Sequence, residues 1–340
     1  MRTMLDGEVT QVRVLVTGGA GFLGSAVAVR LLGSAISLGG APPAHLDELL
    51  LLDLVPPRRD LTDDDRVTAV AGELTSVLPE LDDVDAILHL AGVVSGQAEA
   101  DFDLGMTTNV DGTRALLEWA RGHRRPPVLV FTSSLAVFGS DPAIGPVGVV
   151  DDDTLPRPQS SYGFQKFIGE QLVADYARRG YVDGRSVRLM TVAVRPGAPN
   201  AAASSFLSGI IREPVSGIRA VCPVPGGMPV ALSSPRRTVD GILTALEIDA
   251  GRWGSRTAMN LPALTTTPAE MVQALDRVFA RGASELIDWE EDEAVMRIVG
   301  SWPSRFRTPR ANRLGLRAPE SFDEIVAEYL LTREQPAPQP

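Results

Sequence analysis

Lysine is almost missing from this chain of 340 residues: Lys166 is the only one, so 31 of the 32 basic residues are arginine. Cysteine is equally scarce. With Cys222 alone, no intrachain disulfide can form. The three histidines (His45, His89 and His123) are scattered and accompanied by no cysteine cluster, so no metal site is expected. No run approaches 18 apolar residues, which argues against a membrane-spanning helix. The first residues, "MRTMLDGEVTQ", have no apolar core of the signal-peptide kind. Positive charge is in deficit, 32 basic against 43 acidic residues for a formal charge of −11. Nucleic acid and anionic membrane both require a basic face and are therefore disfavoured as partners. What these absences leave is a cytoplasmic globular protein acting on a small molecule. Its 44% apolar and 22% charged content is ordinary for that class.

The residues that are present alternate between two textures. "VRVLVTG" (12–18) is a continuous apolar run, as expected of a strand buried on both faces. A helix is expected from about Gly21 to Leu32, then a Gly/Pro/Ser-rich loop over 33–45. Further strands are read at "ELLLLDL", "RVTAVAG", "DAILHLAG" and "PVLVFTSS", with the helical stretch "TTNVDGTRALLEWARG" between the last two. After the helix holding Lys166, "RSVRLMTVAVRPG" reads as a sixth strand. Strands alternating with helices indicate right-handed crossovers and a doubly wound parallel sheet, the Rossmann arrangement. Beyond Pro199 the alternation becomes irregular. There "TTPAEMVQAL" announces a helix, with Thr267 as N-cap, Pro268 in the first turn and Glu270 closing a capping box. A last helix is expected over 320–331, and a disordered tail after it. The expected organisation is an extension over 1–11, a nucleotide-binding domain over 12–198, and a smaller α/β substrate-capping region over 199–333 with some segments returning to the first domain. A tail over 334–340 completes it.

Two motifs carry chemistry. In "TGGAGFLG", Gly18, Gly21 and Gly24 follow a strand and open a helix, with Phe22 and Leu23 between the last two glycines. Gly18 permits the tight turn, Gly21 lets backbone approach a pyrophosphate, and Gly24 lets helix and strand pack closely, while the helix N-terminus stabilises anionic charge. Asp53, ending the second strand, suits the adenosine ribose hydroxyls and would repel a 2′-phosphate, which favours NAD over NADP. In "SSYGFQKFIGEQL", Tyr162 and Lys166 stand at i, i+4 and share a helix face. An ammonium beside a phenol favours its ionised form, and a tyrosinate can take the proton of an alcohol that is losing hydride. Arginine's planar fork suits that position poorly, which explains why a chain otherwise without lysine keeps one here. Ser133 and Ser134, at the carboxyl end of the fifth strand, are placed to hydrogen-bond a substrate oxygen. Asn109 is placed to brace backbone or water near the lysine.

Taken together, "TGGAGFLG", "HLAG", "TNVDGT", "SSLAVFG", "YGFQK" and "RPG", in this order over about residues 12 to 200, resemble the extended short-chain dehydrogenase/reductase superfamily. The resemblance implies Ser134, Tyr162 and Lys166 as catalytic residues, with Asn109 supporting a proton relay. It implies Glu73 and Leu74 beside the adenine, Leu90, Ala91, Gly92 and Thr132 along the cofactor, and Pro196 and Gly197 at the nicotinamide. Many such proteins act on nucleotide sugars, so a nucleotide-sugar epimerase is one reading. Sugar dehydratases of this superfamily carry an acidic pair after the catalytic serine or threonine, whereas Leu135 and Ala136 stand here. The stretches "LDELLLLDLVPP", "GVVSGQAEADFDLGMTTNVDGT", "PNAAASSFLSGIIREP" and "SSPRRTVDGI" are instead similar to the D-erythronate dehydrogenase group. That likeness implies NAD-dependent oxidation of a four-carbon sugar acid at the hydroxyl next to its carboxylate. Arg212, Arg236 and Arg237 are candidates for the carboxylate, and Ser95, Asn200, Ser204 and Ser205 for hydroxyls. The resemblance also implies a homodimer. A non-catalytic NAD-sensing regulator of the same fold is the remaining reading, disfavoured because tyrosine and lysine are both present.

Overall fold

A computed structural model describes residues 12–334. The extension read over 1–11, and the expected tail beyond Glu334, lie outside the described residues. Seven strands form the main sheet: β1 (Val12–Thr17), β2 (Leu46–Asp53), β3 (Val67–Ala71), β4 (Ala86–His89), β5 (Val128–Ser134), β6 (Asp183–Leu189) and β7 (Met259–Asn260). Their order is β7-β6-β5-β4-β1-β2-β3, and every pairing is parallel. This is the doubly wound Rossmann sheet. The strand order reverses between β1 and β4, and a crevice opens there at the carboxyl ends of the strands.

Burial on both faces explains the unbroken apolar runs. Along β1, Val14 and Val16 point into one core while Leu15 points into another. The first core is covered by α1 (Phe22–Gly33) through Val27 and Leu31. The second lies under α2 (Gly112–Arg121) and α3 (Ser161–Arg178), through Leu116, Leu117 and Val173. A third core lies outside the main sheet, between α4 (Phe206–Val215), α6 (Pro268–Val278) and α7 (Phe322–Glu334). The helix α6 begins as its sequence predicts, with both halves of the Thr267/Glu270 capping box in place. The last helix starts two residues later than expected and runs on to Glu334.

Two expectations need correction. The strand read over 185–197 ends at Leu189, because its neighbour β5 ends at Ser134, directly opposite. Past Met190, Thr191–Val192 leave the main sheet and pair with Val230–Ser233, which also pairs antiparallel with Leu264–Thr266. The seventh strand was not anticipated. It is two residues long, and it follows α5 (Pro235–Glu247), whose Val239, Ile242 and Leu246 share the first core with Val14.

Arg185 explains why α5 returns to the sheet. It is fully buried in β6, where its Nη1 donates to the carbonyl of Ala245 at 2.6 Å and to that of Ile248, and its other nitrogens pair with Asp183. The guanidinium thus satisfies carbonyls that the end of a helix leaves without partners. Arg185→Met should cost about 3 kcal/mol, since it strands these carbonyls and a carboxylate. Urea unfolding checks this; a midpoint equal to that of the parent would remove the arginine from this role.

Candidate active site

The glycine turn sits at the crevice. Gly18 has φ +73°, and a Cβ there would lie 2.8 Å from the amide nitrogen of Ala91. A Cβ on Gly24 would lie 2.1 Å from the carbonyl oxygen of Gly18, so only glycine allows α1 to start so close to β1. Gly21 caps α1 without any side-chain hydrogen bond, and Gly21, Phe22, Leu23 and Gly24 line the cleft. Uncapped amides at a helix N-terminus form a site for pyrophosphate. Asp53 ends β2 beside this turn, accepting from the amides of Ala20 at 3.1 Å and Leu54 at 2.7 Å. These groups fit NAD. Glu73 is exposed and precedes the short helix Leu74–Val77, with Leu74 packed towards α2. Leu90, Gly92 and Thr132 line the cleft, and Thr132 also donates to the carbonyl of His89 at 3.0 Å. Ala91 lies behind, its amide donating to Thr17 Oγ1. His89 is buried between Thr17 and Thr113, and desolvation pushes it down to about 3, so it stays neutral.

The helix α3 delivers the tyrosine and the lysine. Ser160 caps it by accepting from the amide of Gly163 at 3.3 Å, which places Tyr162 in the first turn. A Cβ on Gly163 would stand 2.2 Å from the carbonyl oxygen of Ala136, and one on Gly169 would enter the Phe131 ring at 2.5 Å. The helix therefore packs directly against the backbone of the turn that follows β5 and against a side chain of β5, and Ser134 and Tyr162 line the cleft together. Lys166 Nζ lies 5.8 Å from the Tyr162 ring centre and 4.9 Å from that of Phe131. The sequence pointed to a lowered phenol pKa, and here the direction is opposite. Desolvation pushes Tyr162 up to about 12, with Ser134 opposing, and pushes Lys166 down to about 8, with Glu170 opposing. Burial outweighs the attraction between charges because both groups face protein on most sides.

Glu170, one turn beyond the lysine, is buried and accepts two hydrogen bonds from Arg188, at 2.8 and 2.7 Å. Ser133 lines the cleft and also donates to Glu170, so its hydroxyl proton is engaged in the fold. Asn109 lies in a π-helical turn, Met106–Asp111. Its Nδ2 donates to the carbonyl of Val93 at 3.0 Å and to Gln165 Oε1 at 2.8 Å, while its Oδ1 accepts from the amide of Val93 at 2.8 Å. It braces the loop beside Lys166: a Cβ on Gly92 would meet Asn109 Oδ1 at 2.9 Å and Lys166 Nζ at 3.3 Å.

On the substrate side the structure redistributes the candidates. Ser95 and Ser204 line the cleft, and Ser95 Oγ accepts from the amide of Ala203. Asn200 and Ser205 lie outside the lining, with the Asn200 amide donating to Ser205 Oγ. Pro196 and Gly197 are exposed and do not line it; because β6 ends at Leu189, the wall is made by Leu189, Met190, Thr191 and Val192. Arg236 pairs with Glu324 at 2.9 Å at the start of α5, and Arg237 with the same carboxylate at 3.4 Å, away from the cleft. Arg212 pairs with Glu213 and donates to the carbonyl of Arg195 at 3.1 Å, one layer behind the wall. The arginine that does line the cleft is Arg195, together with Trp302. Neither was singled out from sequence, although Arg195 stands inside the "RPG" motif.

Comparison with known proteins agrees with this geometry. The family described as the NAD dependent epimerase/dehydratase family matches residues 14–226. A D-erythronate dehydrogenase of Cupriavidus necator is 50% identical over 93% of this chain and 97% of its own. Another from Haemophilus influenzae is 40% identical over 94% and 98%. A solved structure described as a nucleoside-diphosphate-sugar epimerase from Agrobacterium tumefaciens is 36% identical, covers 100% of this chain and 99% of its own, and superposes with a TM-score of 0.85. With its glycine turn, its Tyr-Lys pair and this match over most of its length, the chain belongs to the NAD-dependent epimerase/dehydratase family, the extended short-chain dehydrogenases.

Proposed function

We propose that this protein oxidises D-erythronate to 2-oxo-tetronate with NAD, using Tyr162 as the base. The observation that carries the reading is the 50% identity to a D-erythronate dehydrogenase over nearly the whole chain, in a protein that has Ser134, Tyr162 and Lys166 together in one cleft. The amides of Gly21 to Gly24, the Asp53 carboxylate and Lys166 are the groups that would hold NAD. Bound NAD supplies the hydride acceptor. Ser134 orients the substrate hydroxyl, and Tyr162, as tyrosinate, takes its proton while the carbon is oxidised from alcohol to ketone. Below about pH 8 Lys166 is charged and its field favours the tyrosinate. Asn109 holds the loop against which the lysine packs, and Ser95 and Ser204 face the substrate. Leu135 and Ala136 follow Ser134 and are buried, so a dehydratase acid and base are lacking there. We read the elements of the third core as the substrate side of the molecule. A cytoplasmic homodimer is proposed as the working form, supported by exposed Phe164 and Ile168 on α3 and by exposed Phe102.

A panel of four-carbon sugar acids and UDP-glucose, followed at 340 nm with NAD, tests the reaction. Reduction with D-erythronate is expected, whereas an epimerase returns its hydride and reduces no free NAD. Tyr162→Phe should lower kcat by roughly 10³-fold or more while NADH binding stays within a few-fold. Ser134→Ala should lower kcat by about 10²-fold at near-parental stability. Ser133→Ala should do the reverse, because it leaves buried Glu170 short of a donor; equal effects from the two serines would contradict their separation. A pH test follows from the lysine. Its folded-state pKa of about 8 lies below its ordinary 10.5, so the unfolded chain holds the extra proton between those values. Stability therefore rises with pH across that window, and below it the buried ammonium is a cost. Lys166→Met should raise Tm at pH 7 and lose that advantage by pH 10.5. An equal change in Tm at both values would show that the ammonium is not desolvated.

A further inference from the structure

We infer that Arg195 is the receptor for the substrate's carboxylate and determines both the preference for acids and which hydroxyl is oxidised. The inference rests on the dehydrogenase reading above. Arg195 follows the cleft wall of Leu189 to Val192 and itself lines the cleft. Its backbone is held on both sides: its amide donates to Ser208 Oγ at 3.0 Å, and its carbonyl accepts from Arg212 at 3.1 Å. One guanidinium nitrogen, Nη2, donates to Asn200 Oδ1 at 2.7 Å. Among the described residues no carboxylate pairs with the guanidinium, and Nη1 and Nε have no hydrogen-bond partner. Arg188 and Arg212, by contrast, have Glu170 and Glu213 as partners. Burial and the neighbouring Arg212 both work against the charge on Arg195, a penalty that an arriving anion relieves.

The cofactor's pyrophosphate is not the anion in question. The glycine turn follows β1, whereas Arg195 follows β6, and β4 and β5 lie between them in the sheet. Three strand spacings, about 14 Å, separate β1 from β6. Ser95 and Ser204 instead share the cleft with Arg195, which suits a small hydroxylated acid. A fork that binds a carboxylate bidentately fixes direction as well as position. The hydroxyl on the adjacent carbon is then the one presented to Ser134 and Tyr162, and those further along the substrate are held away.

Arg195→Gln tests this with two readouts, on the parent and the variant. One is kcat/KM for D-erythronate and for erythritol, its neutral counterpart. The other is calorimetric binding of D-erythronate to the protein–NADH complex. The expected result is a fall of roughly 100-fold or more in kcat/KM for the acid, carried mainly by KM, with activity on erythritol and affinity for NADH within about 3-fold of the parent. If the variant keeps acid turnover and binding, Arg195 is not the receptor, while the dehydrogenase reading stands. Weaker NADH binding with unchanged discrimination between acid and polyol also overturns the inference, assigning the arginine to the cofactor. If the parent oxidises no sugar acid, the dehydrogenase reading fails; Arg195-dependent binding of D-erythronate to the NADH complex would still uphold the carboxylate site, and no such binding would sink both.

Discussion

The close packing of α3 against β5 and the turn that follows it is the constraint from which the site's geometry follows. Gly163 against the Ala136 carbonyl and Gly169 against the Phe131 ring leave no room for even one methyl group. Tyr162 and Lys166 ride on the same helix, so their distances from Ser134 are set by this contact and not by loop conformation. One turn further, Glu170 ties the helix to both neighbouring strands through Ser133 and Arg188, and Arg188 reaches Asn260 of β7 at 3.5 Å. The catalytic helix is thereby anchored across three adjacent strands of the sheet.

That rigidity has an electrostatic cost at the reacting groups. A phenol raised to about 12 and an ammonium lowered to about 8 are both held against their charged forms. Low local dielectric also strengthens each favourable interaction once the right partners are present. The same reasoning applies to Arg195. Its charge is disfavoured where it stands, and it lacks a carboxylate among the described residues.

Much of the Rossmann half was legible in the sequence because burial on both faces leaves uninterrupted apolar runs, as in β1, β4 and β5. The glycine turn and the i, i+4 pair were legible because each demands particular residue types at fixed spacing. Other features depend on contacts distant in sequence. The strand β7 is two residues long, and what places it is Arg185 reaching the end of α5, some 60 residues away. Ser133 and Ser134 are indistinguishable by position along the chain, yet alternation along the strand turns one towards Glu170 and the other towards Tyr162. Arg212, Arg236 and Arg195 look equally eligible in sequence, and the cleft lining and their acidic neighbours separate them. The end of β6 is not written in its own sequence, because the length of a strand depends on its partner, and β5 stops at Ser134, opposite Leu189.

The near-exclusive use of arginine affects how the protein responds to alkali. Guanidinium groups keep their charge to beyond pH 12, so the exposed arginines stay charged from pH 7 to 11. Tyr162 and the half-buried Tyr176 are held near 12 and buried Cys222 near 11. Lys166, near 8, is then the one side chain among them with a proton to lose in mildly alkaline solution. Most enzymes carry many surface lysine amines whose signals overlap that of a catalytic one; here there is no other lysine, and the ε-ammonium at the centre of the cleft is the chain's own reporter.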